Sequence, residues 1–245
     1  ATTISSGAQI VSSGGVVSDT LVAGGTQNVS SGGVANATTI SSGAQIVSSG
    51  GVVSDTLVAG GLQNVFSGGL ASATTISSGA QIVSSGGVAS DTIVAGGTQN
   101  VSSGGKAYNT VQSSGGNINA DVYGGDTETY VSGTNASGEA FTLQNGVASN
   151  FILYAGGLQN VFSGGLANAT TIQEGGLQNV SSGAVVSDTL VAGGVQNVSE
   201  GGVASNTTLN SGAVNLYEGG LISGLNATGG DLNVYGNNTL QGNIN

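Results

Sequence analysis

The sequence predicts an all-β fold, a right-handed parallel β-helix (solenoid) of about 13 rungs of 18–19 residues each. Three observations predict it. Residues 73–108 recur in close copies that begin at Ala1 and Ala37, and each 36-residue block divides into two aligned units of 18 residues. Each unit contains three short runs of strand-forming residues separated by Ser-Gly clusters. No window carries apolar residues at helical spacing, and the frequent glycines would destabilise a helix by about 1 kcal/mol each.

In the first unit the three predicted strands are Thr2 to Ile4, Gln9 to Val11 and Val16 to Ser18. The clusters Ser5-Ser6-Gly7 and Ser12-Ser13-Gly14-Gly15 are expected to form corners, where glycine supplies a positive φ. Strands this short cannot form hairpins of useful length. They can form three sides of a coil in which each rung stacks on the next.

Alternation along each short strand predicts which columns face inward. Position four of the unit holds Ile or Val and position eleven holds Val, and these two columns are expected to form the core. Position seventeen, which is Ala or Val, is also expected to face inward, whereas position sixteen accepts Lys106 and is expected to face outward. Position two is Thr, which fits an inward or edge ladder. Position nine is Gln, whose amides are expected to hydrogen-bond from rung to rung.

The whole chain, residues 1–245, is predicted to be a single β-helical repeat domain. It begins inside a repeat at Ala1 without a methionine, so we interpret it as a fragment of a longer protein. The pattern degrades at 109–126 and breaks at 127–150, where we expect an irregular rung with an outward loop. Regular units then return, and one of them, 169–187, is a residue longer than the others.

Composition excludes several classes of function. The formal net charge is −11 and Lys106 is the only basic side chain, so the chain lacks the positive charge that binding to nucleic acid requires. The absence of histidine, cysteine and arginine excludes catalytic triads, thiol nucleophiles and the common transition-metal sites. We therefore predict no enzymatic activity, no catalytic residues, no cofactor and no metal site. Acids recur at position one of alternate units, two rungs apart, where we expect solvated corner residues that bond turn amides: Asp19, Asp55, Asp91 and Asp188.

Serines recur at the Ser-Gly clusters of nearly every unit. Turns between short strands expose a hydroxyl better than strand interiors do, so these serines are candidate acceptors of O-linked glycans. The competing interpretation is that Ser-Gly is turn chemistry and nothing more. The candidates are Ser5, Ser6, Ser12, Ser13, Ser30, Ser31, Ser41, Ser42, Ser48, Ser49, Ser77, Ser78, Ser84, Ser85, Ser102, Ser103, Ser181 and Ser182.

A correlated change distinguishes two units from the rest. Where most units carry residues like Thr26, Ser30 and Val34, these two carry bulky apolar residues at all three positions. Phenylalanine in place of serine would overpack an otherwise unchanged core, typically at about 1–3 kcal/mol. We therefore expect exposed apolar patches that serve as interaction sites, with a locally wider core as the alternative. The two candidate patches are Leu62, Phe66 and Leu70, and Leu158, Phe162 and Leu166.

Residues 24–51, GGTQNVSSGGVANATTISSGAQIVSSGG, resemble the passenger repeats of the AIDA-type self-associating autotransporter adhesins, the AIDA/TibA-like repeats. The resemblance extends over nearly the whole chain apart from 127–150. It implies a passenger exported through its own C-terminal outer-membrane barrel to the bacterial cell surface. There it would mediate adhesion to a host-cell surface receptor, autoaggregation with other copies of itself, and biofilm formation. It also implies O-heptosylation by a protein heptosyltransferase, with acceptors such as Ser12, Ser13, Ser30 and Ser31.

Two other functions remain open for a predicted β-helix. Many polysaccharide-active enzymes have this fold, although their sites cluster acids or add a basic residue. An ice-binding rod would present two threonines from each rung on one flat face. Here the threonines are adjacent, as in Thr2-Thr3, so their side chains should point to opposite faces.

Overall fold

The computed structural model describes residues 1–241 and contains only strands, turns and irregular segments. In this part of the chain no helix is long and apolar enough to cross a membrane. Residues 242–245, which the predicted domain includes, lie outside the described residues.

The strands are short, and most have two to five residues. The first half of the chain contains β1 (Thr2–Ile4), β2 (Ala8–Val11), β3 (Val16–Ser18), β4 (Thr20–Val29), β5 (Val34–Asn36), β6 (Thr39–Val47), β7 (Val52–Ser54), β8 (Leu57–Val58), β9 (Leu62–Val65), β10 (Leu70–Ser72), β11 (Thr75–Ile76), β12 (Ala80–Val83), β13 (Val88–Ser90), β14 (Ile93–Val94), β15 (Thr98–Val101), β16 (Lys106–Gln112) and β17 (Asn117–Ala120). The second half contains β18 (Tyr130–Thr134), β19 (Ala140–Gln144), β20 (Val147–Ser149), β21 (Ile152–Leu153), β22 (Leu158–Val161), β23 (Leu166–Asn168), β24 (Thr171–Gln173), β25 (Leu177–Val180), β26 (Val185–Ser187), β27 (Leu190–Val198), β28 (Val203–Ser205), β29 (Thr208–Leu216), β30 (Leu221–Ser223), β31 (Asn226–Ala227), β32 (Asp231–Val234) and β33 (Thr239–Gln241).

Parallel pairing between successive rungs builds the fold. Strand β2 pairs with the second half of β4, which places Gln9 beside Gln27 and Val11 beside Val29, a shift of one 18-residue unit. Strands β12 and β15 pair in the same register one unit apart. The predicted all-β solenoid of about 13 turns is confirmed.

The chain groups into two compact units. Unit 1 comprises Ala1–Gly116 and Glu128–Ala136. Unit 2 comprises Asn117–Thr127 and Ser137–Asn245, of which residues up to Gln241 are described. The interpretation of the whole chain as a single domain stays a prediction.

The predicted inward columns lie in the core. In unit 1 one buried cluster joins the valines at position eleven, from Val11 to Val65, with Ala35, Val53 and Ala71 at position seventeen. Position four is buried as well, with Ile40 and other members wholly inaccessible to solvent. The alternation of side chains along each strand therefore predicts the apolar core correctly.

Glutamine and threonine extend this core beyond the predicted apolar columns. Gln27, Gln45 and Gln63 are completely buried, and each glutamine Nε2 donates to the Oε1 of the glutamine one rung earlier, for example Gln45 to Gln27 at 2.7 Å. Each oxygen also accepts from a buried threonine hydroxyl, as Gln27 does from Thr38 at 3.1 Å. The predicted amide ladder is confirmed, and the threonine column lies inside it. Burial in this form leaves the amide oxygens fully paired.

The two glycines of each Ser-Gly turn have different roles. The first, such as Gly32, has a φ of 77°, which the turn requires and which glycine adopts without steric cost. The second, such as Gly33, has no positive φ, but a Cβ there would collide with the carbonyl oxygen of Val11 one rung earlier. The expectation that glycine supplies positive φ at corners therefore explains only one member of each pair.

A second corner uses residues other than glycine in the left-handed region. Position one has φ between 52° and 55° at Asp19, Ala37, Asp55 and Asp91. The aspartates are exposed, as predicted for corner residues. Aspartate tolerates this conformation because its short polar side chain can bond locally, whereas alanine has no such compensation.

Two features differ from the three-strand expectation. In several rungs the first two strands run together through the corner, so that β6 spans Ser41 and Ser42 instead of turning there. In the segment where an irregular rung with an outward loop is expected, β19 and β20 form an antiparallel hairpin. Its turn, Asn145-Gly146, has positive φ at both residues. That dipeptide is typical of a two-residue hairpin turn.

Candidate functional site

The Ser-Gly turns are tight, four-residue turns on the surface. Gly33 N–H donates to Ser30 O at 2.8 Å and closes the turn around Ser31 and Gly32. The first serine of such a pair is half-buried in most turns, whereas the second stands exposed at the tip. The exposed tip serines among the candidates are Ser13, Ser31, Ser49, Ser85, Ser103 and Ser182.

The turns occur in two backbone forms. Ser13, Ser31 and Ser49 have φ near 50° and are each followed by a glycine of positive φ, whereas later turns have positive φ at the glycine alone. In the later form the tip hydroxyl lies over the glycine of the next rung. A Cβ on Gly104 would approach Ser85 Oγ to 2.6 Å. Glycine at this site therefore leaves free space around the serine hydroxyl.

The candidates at the first corner have a different setting. Ser5, Ser6, Ser41, Ser42, Ser77 and Ser78 are all exposed. Ser42 lies within strand β6, not in a turn, and its hydroxyl donates to Ala23 O at 2.6 Å. The description of this serine as a turn residue is therefore wrong, because the corner of that rung continues the strand. Because the Ser42 hydroxyl already donates a hydrogen bond, it is less available as a glycan acceptor.

The first apolar trio lies outside the core of unit 1. Leu62, Phe66 and Leu70 are all exposed, and Phe66 keeps 41% of its surface accessible. The two leucines begin strands β9 and β10, and Phe66 opens the turn between these strands. All three side chains therefore lie outside the core, as predicted for this trio, and their role as one interaction patch stays a prediction.

The second trio is partly covered. Leu166 is exposed, but Leu158 and Phe162 are half-buried. The ring of Phe162 stacks on that of Tyr123, with centroids 4.5 Å apart and planes 8° from parallel. Partial desolvation of its hydroxyl raises the pKa of Tyr123, as does the neighbouring Asp121 carboxylate, which accepts a hydrogen bond from that hydroxyl. The sequence pattern did not predict this partner, because Tyr123 lies in the degraded repeat.

Unit 2 also carries an uninterrupted column of asparagines on the outer side of the second strand of each rung. Each amide Nδ2 donates to the Oδ1 one rung earlier at 2.8–2.9 Å, and Asn160 donates to Asp121 Oδ1. All members are half-buried. The column consists of Asn160, Asn179, Asn197, Asn215 and Asn233.

A second aromatic pair lies beside this column. Tyr217 and Tyr235 follow Asn215 and Asn233 by two residues, so the tyrosines point to the same side as the amides. Their rings stack with centroids 5.1 Å apart and planes 14° from parallel. They are 41% and 50% exposed, respectively. We call the asparagine column, Asp121 and the two aromatic pairs the asparagine face. Alignment of the units shows its asparagines, but only the structure shows the aromatic stacking.

The placement of Thr and Asp bears on the alternative functions. Thr38, Thr56 and Thr74 are buried against the glutamine ladder, so this column presents no flat threonine surface to water. Asp19 and Asp55 are exposed at corners separated by Ala37, two rungs or about 10 Å apart. Neither arrangement has the features expected of an ice-binding face or a paired-carboxylate site.

Comparison with known proteins identifies the family. Residues 132–194 match the family described as "Adhesin of bacterial autotransporter system, probable stalk". The chain is also 32% identical to a solved fragment of TibA that was hyperglycosylated by TibC catalysis. This match covers 96% of this chain and 99% of the fragment, with a TM-score of 0.48. No curated protein sequence matches the chain. On the strength of the sequence identity over almost the whole of both chains, this protein belongs to the AIDA-type family of autotransporter adhesin passengers.

Proposed function

We propose that this chain acts on the outside of a bacterial cell as an adhesin passenger, exported through a C-terminal outer-membrane barrel. In this role it mediates adhesion to host cells, autoaggregation and biofilm formation, and it has no enzymatic activity. Family membership supports the surface location and the adhesin role. Incubation with pectin and related polymers tests the absence of activity, and release of oligosaccharides would contradict it.

We further propose that a protein heptosyltransferase modifies the Ser-Gly turn serines with O-linked heptose. The observation that carries this proposal is the column of exposed tip serines, one on many successive rungs. A transferase must reach the hydroxyl, and a turn tip offers it without unfolding the rung. The relative TibA is glycosylated by TibC, which supports the same modification here.

Intact-mass measurement after production with and without a TibC-type transferase tests the modification. We expect several added sugars with the transferase, and a loss of two when Ser31 and Ser49 are both changed to alanine. The matched control is Ser54→Ala, because Ser54 is half-buried and its hydroxyl donates to Asn36 Oδ1 at 2.8 Å. Modification confined to threonines, or none from the native host, would refute the proposal.

The exposed trio of Leu62, Phe66 and Leu70 is the candidate contact patch for other copies or a host surface. Exposed apolar groups of this kind gain free energy when a partner covers them. A Phe66→Ser, Phe162→Ser variant displayed on cells should aggregate less than the parent in a sedimentation assay. If the variant aggregated as well as the parent, neither patch would contribute to contact between cells.

A further inference from the structure

The asparagine face of unit 2 presents aligned amides between two aromatic pairs, of which Tyr123, Tyr217 and Tyr235 are exposed and Phe162 is half-buried. Backbone bonds from rung to rung hold the aromatic positions in one column, since Phe162 N–H donates to Val122 O at 2.8 Å and Tyr217 N–H to Val198 O at 2.9 Å. Tyr235 N–H donates to Leu216 O at 2.8 Å in the same way. The backbone that carries the face is therefore held in place before any ligand arrives, which limits the entropy cost of binding.

The amides have capacity left after forming the ladder. A primary amide has two donor hydrogens and two acceptor lone pairs, and the ladder uses one of each at Asn179, Asn197 and Asn215. Each of these residues therefore offers one further donor and one further acceptor at about 4.8 Å intervals. A ligand that matches this face must carry hydroxyl groups, which both donate and accept, at short and regular spacing.

The aromatic rings and the charge of the face restrict the ligand further. Tyr217 and Tyr235 are exposed beside the amides; because their rings stack on each other, their outer faces and edges are the parts that a ligand with apolar C–H groups can contact. The single basic side chain of the sequence, Lys106, lies in unit 1, so unit 2 has no cation to attract sulfate or carboxylate groups. Neutral sugar rings combine hydroxyl edges with C–H faces and meet both requirements.

The separation of the aromatic pairs indicates the length of the ligand. Phe162 and Tyr217 are three rungs apart, which corresponds to about 14 Å. A single sugar attached to Ser181, between them, could reach only its immediate neighbours. A ligand that contacts both pairs must be an extended chain of several sugars.

We propose that the asparagine face of unit 2 is a binding site for an extended, neutral polysaccharide. The amides hydrogen-bond to the hydroxyl groups, and Phe162 with Tyr123 and Tyr217 with Tyr235 stack against the sugar rings. The proposal does not depend on O-glycosylation of this chain, so its failure would leave the mass measurements on the turn serines unaffected.

The experiment uses the chain made in a host that lacks the glycosyltransferase. Binding is measured by sedimentation with cellulose and chitin, and by affinity gel electrophoresis with xyloglucan and galactomannan. Chondroitin sulfate serves as the polyanionic probe. We expect retention by at least one neutral polymer that persists in 1 M NaCl, a concentration at which the screening length is about 3 Å.

Variants locate the binding surface. Tyr217→Ala, Tyr235→Ala should weaken retention at least about tenfold, and Tyr217→Phe, Tyr235→Phe should retain most of it because the ring faces remain. The control is Tyr108→Ala, Tyr130→Ala, which removes the aromatic pair of unit 1 and should leave retention unchanged. Circular dichroism verifies that each variant is folded.

Three outcomes would overturn the proposal. The first is no retention by any neutral polymer, and the second is binding to chondroitin sulfate alone. The third is an equal loss in the control pair and the Tyr217, Tyr235 pair.

Discussion

The outer face of the second strand differs between the two units although their cores are built alike. In unit 1 this column alternates, with Ile10, Asn28 and Ile46 on successive rungs, whereas in unit 2 asparagine follows asparagine. Both units keep the buried glutamine ladder behind this strand. Alternation places an isoleucine between successive asparagines, and Asn28 Oδ1 is buried without a hydrogen-bond partner. Repetition, in contrast, pairs every amide with the next. Stacking therefore constrains the core in every rung but leaves the exterior free to acquire a function.

The largest expected effect is a charge in the shared core. Val47 is inaccessible to solvent in unit 1, and so is Val198 in unit 2. We expect Val47→Asp and Val198→Asp to lower the free energy of unfolding of their own unit by about 3–5 kcal/mol each, because the carboxylate has no cation to pair with. Urea unfolding followed by circular dichroism measures the change. The control Ile46→Asp, at the adjacent outward and half-buried position, should cost less, about 1–2 kcal/mol. Unchanged stability of Val47→Asp would mean that the inward columns are wrongly assigned.

A smaller loss is expected from breaking the glutamine ladder. Gln45→Leu removes the acceptor of Gln63 Nε2 and of Thr56 Oγ1. Each unpaired buried group costs about 1–3 kcal/mol, so we expect a loss of about 2–4 kcal/mol. Gln178→Leu in unit 2 should cost a similar amount, since Gln196 and Thr189 then lose their acceptor. Thermal unfolding of both variants checks this, and a large loss in only one unit would show that the two cores are not equivalent.

Replacing an outer asparagine should have opposite effects in the two units. Asn197→Ile removes the partner of Asn179 and Asn215 in the half-buried ladder of unit 2, and we expect a loss of about 1 kcal/mol. Asn28→Ile in unit 1 removes a buried, unpaired oxygen between two isoleucines, and we expect a gain of up to about 1 kcal/mol. Urea midpoints of the two variants measure the difference. The same sign for both changes would contradict the contrast between the units.

The smallest effect concerns the left-handed corner. Asn206 Nδ2 donates to Asp188 Oδ1 in unit 2, and Asn109 Nδ2 donates to Asp91 Oδ1 in unit 1, both at 3.3 Å, whereas Ala37 occupies the equivalent corner above Asp19. We expect Ala37→Asn to stabilise unit 1 by about 0.5–1 kcal/mol, because asparagine tolerates positive φ better than alanine. Ala59→Asn, at an exposed position with ordinary backbone, is the control and should change the melting temperature little. A destabilised Ala37→Asn variant would show that local strain is not what limits this corner.

The sequence predicts the fold well because one period governs most of the rungs. Position four, position eleven and the glutamine column are correct in both units, since identical residues stack on each other and share one environment. The pairing of Tyr123 with Phe162 could not be predicted, because it joins residues 39 apart across the segment where the period is lost. The Asn145-Gly146 dipeptide is a local signal for a hairpin, but it lies outside the repeat pattern from which the rungs are predicted. The candidate acceptor serines follow from the recurring Ser-Gly turns, whereas heptose as the modification rests on the family resemblance.

The near identity of the repeats has a consequence for how the chain reaches this structure. Residues 37–72 and 73–108 carry valine, glutamine and glycine at the same positions, so residues 1–36 could stack equally well on either block. Core contacts alone therefore do not disfavour an arrangement that skips two rungs. Unit 2 contains one rung of a different length, because Gln178 Nε2 donates to Gln159 Oε1 across 19 residues instead of 18. This difference distinguishes the native order of its rungs from one that skips rungs. In unit 1, all repeats between residues 1 and 108 have the same length of 18 residues. Its correct order therefore depends on adding each rung to one already formed. Growth from one end of an emerging chain should give the native order more often than refolding the whole chain from denaturant.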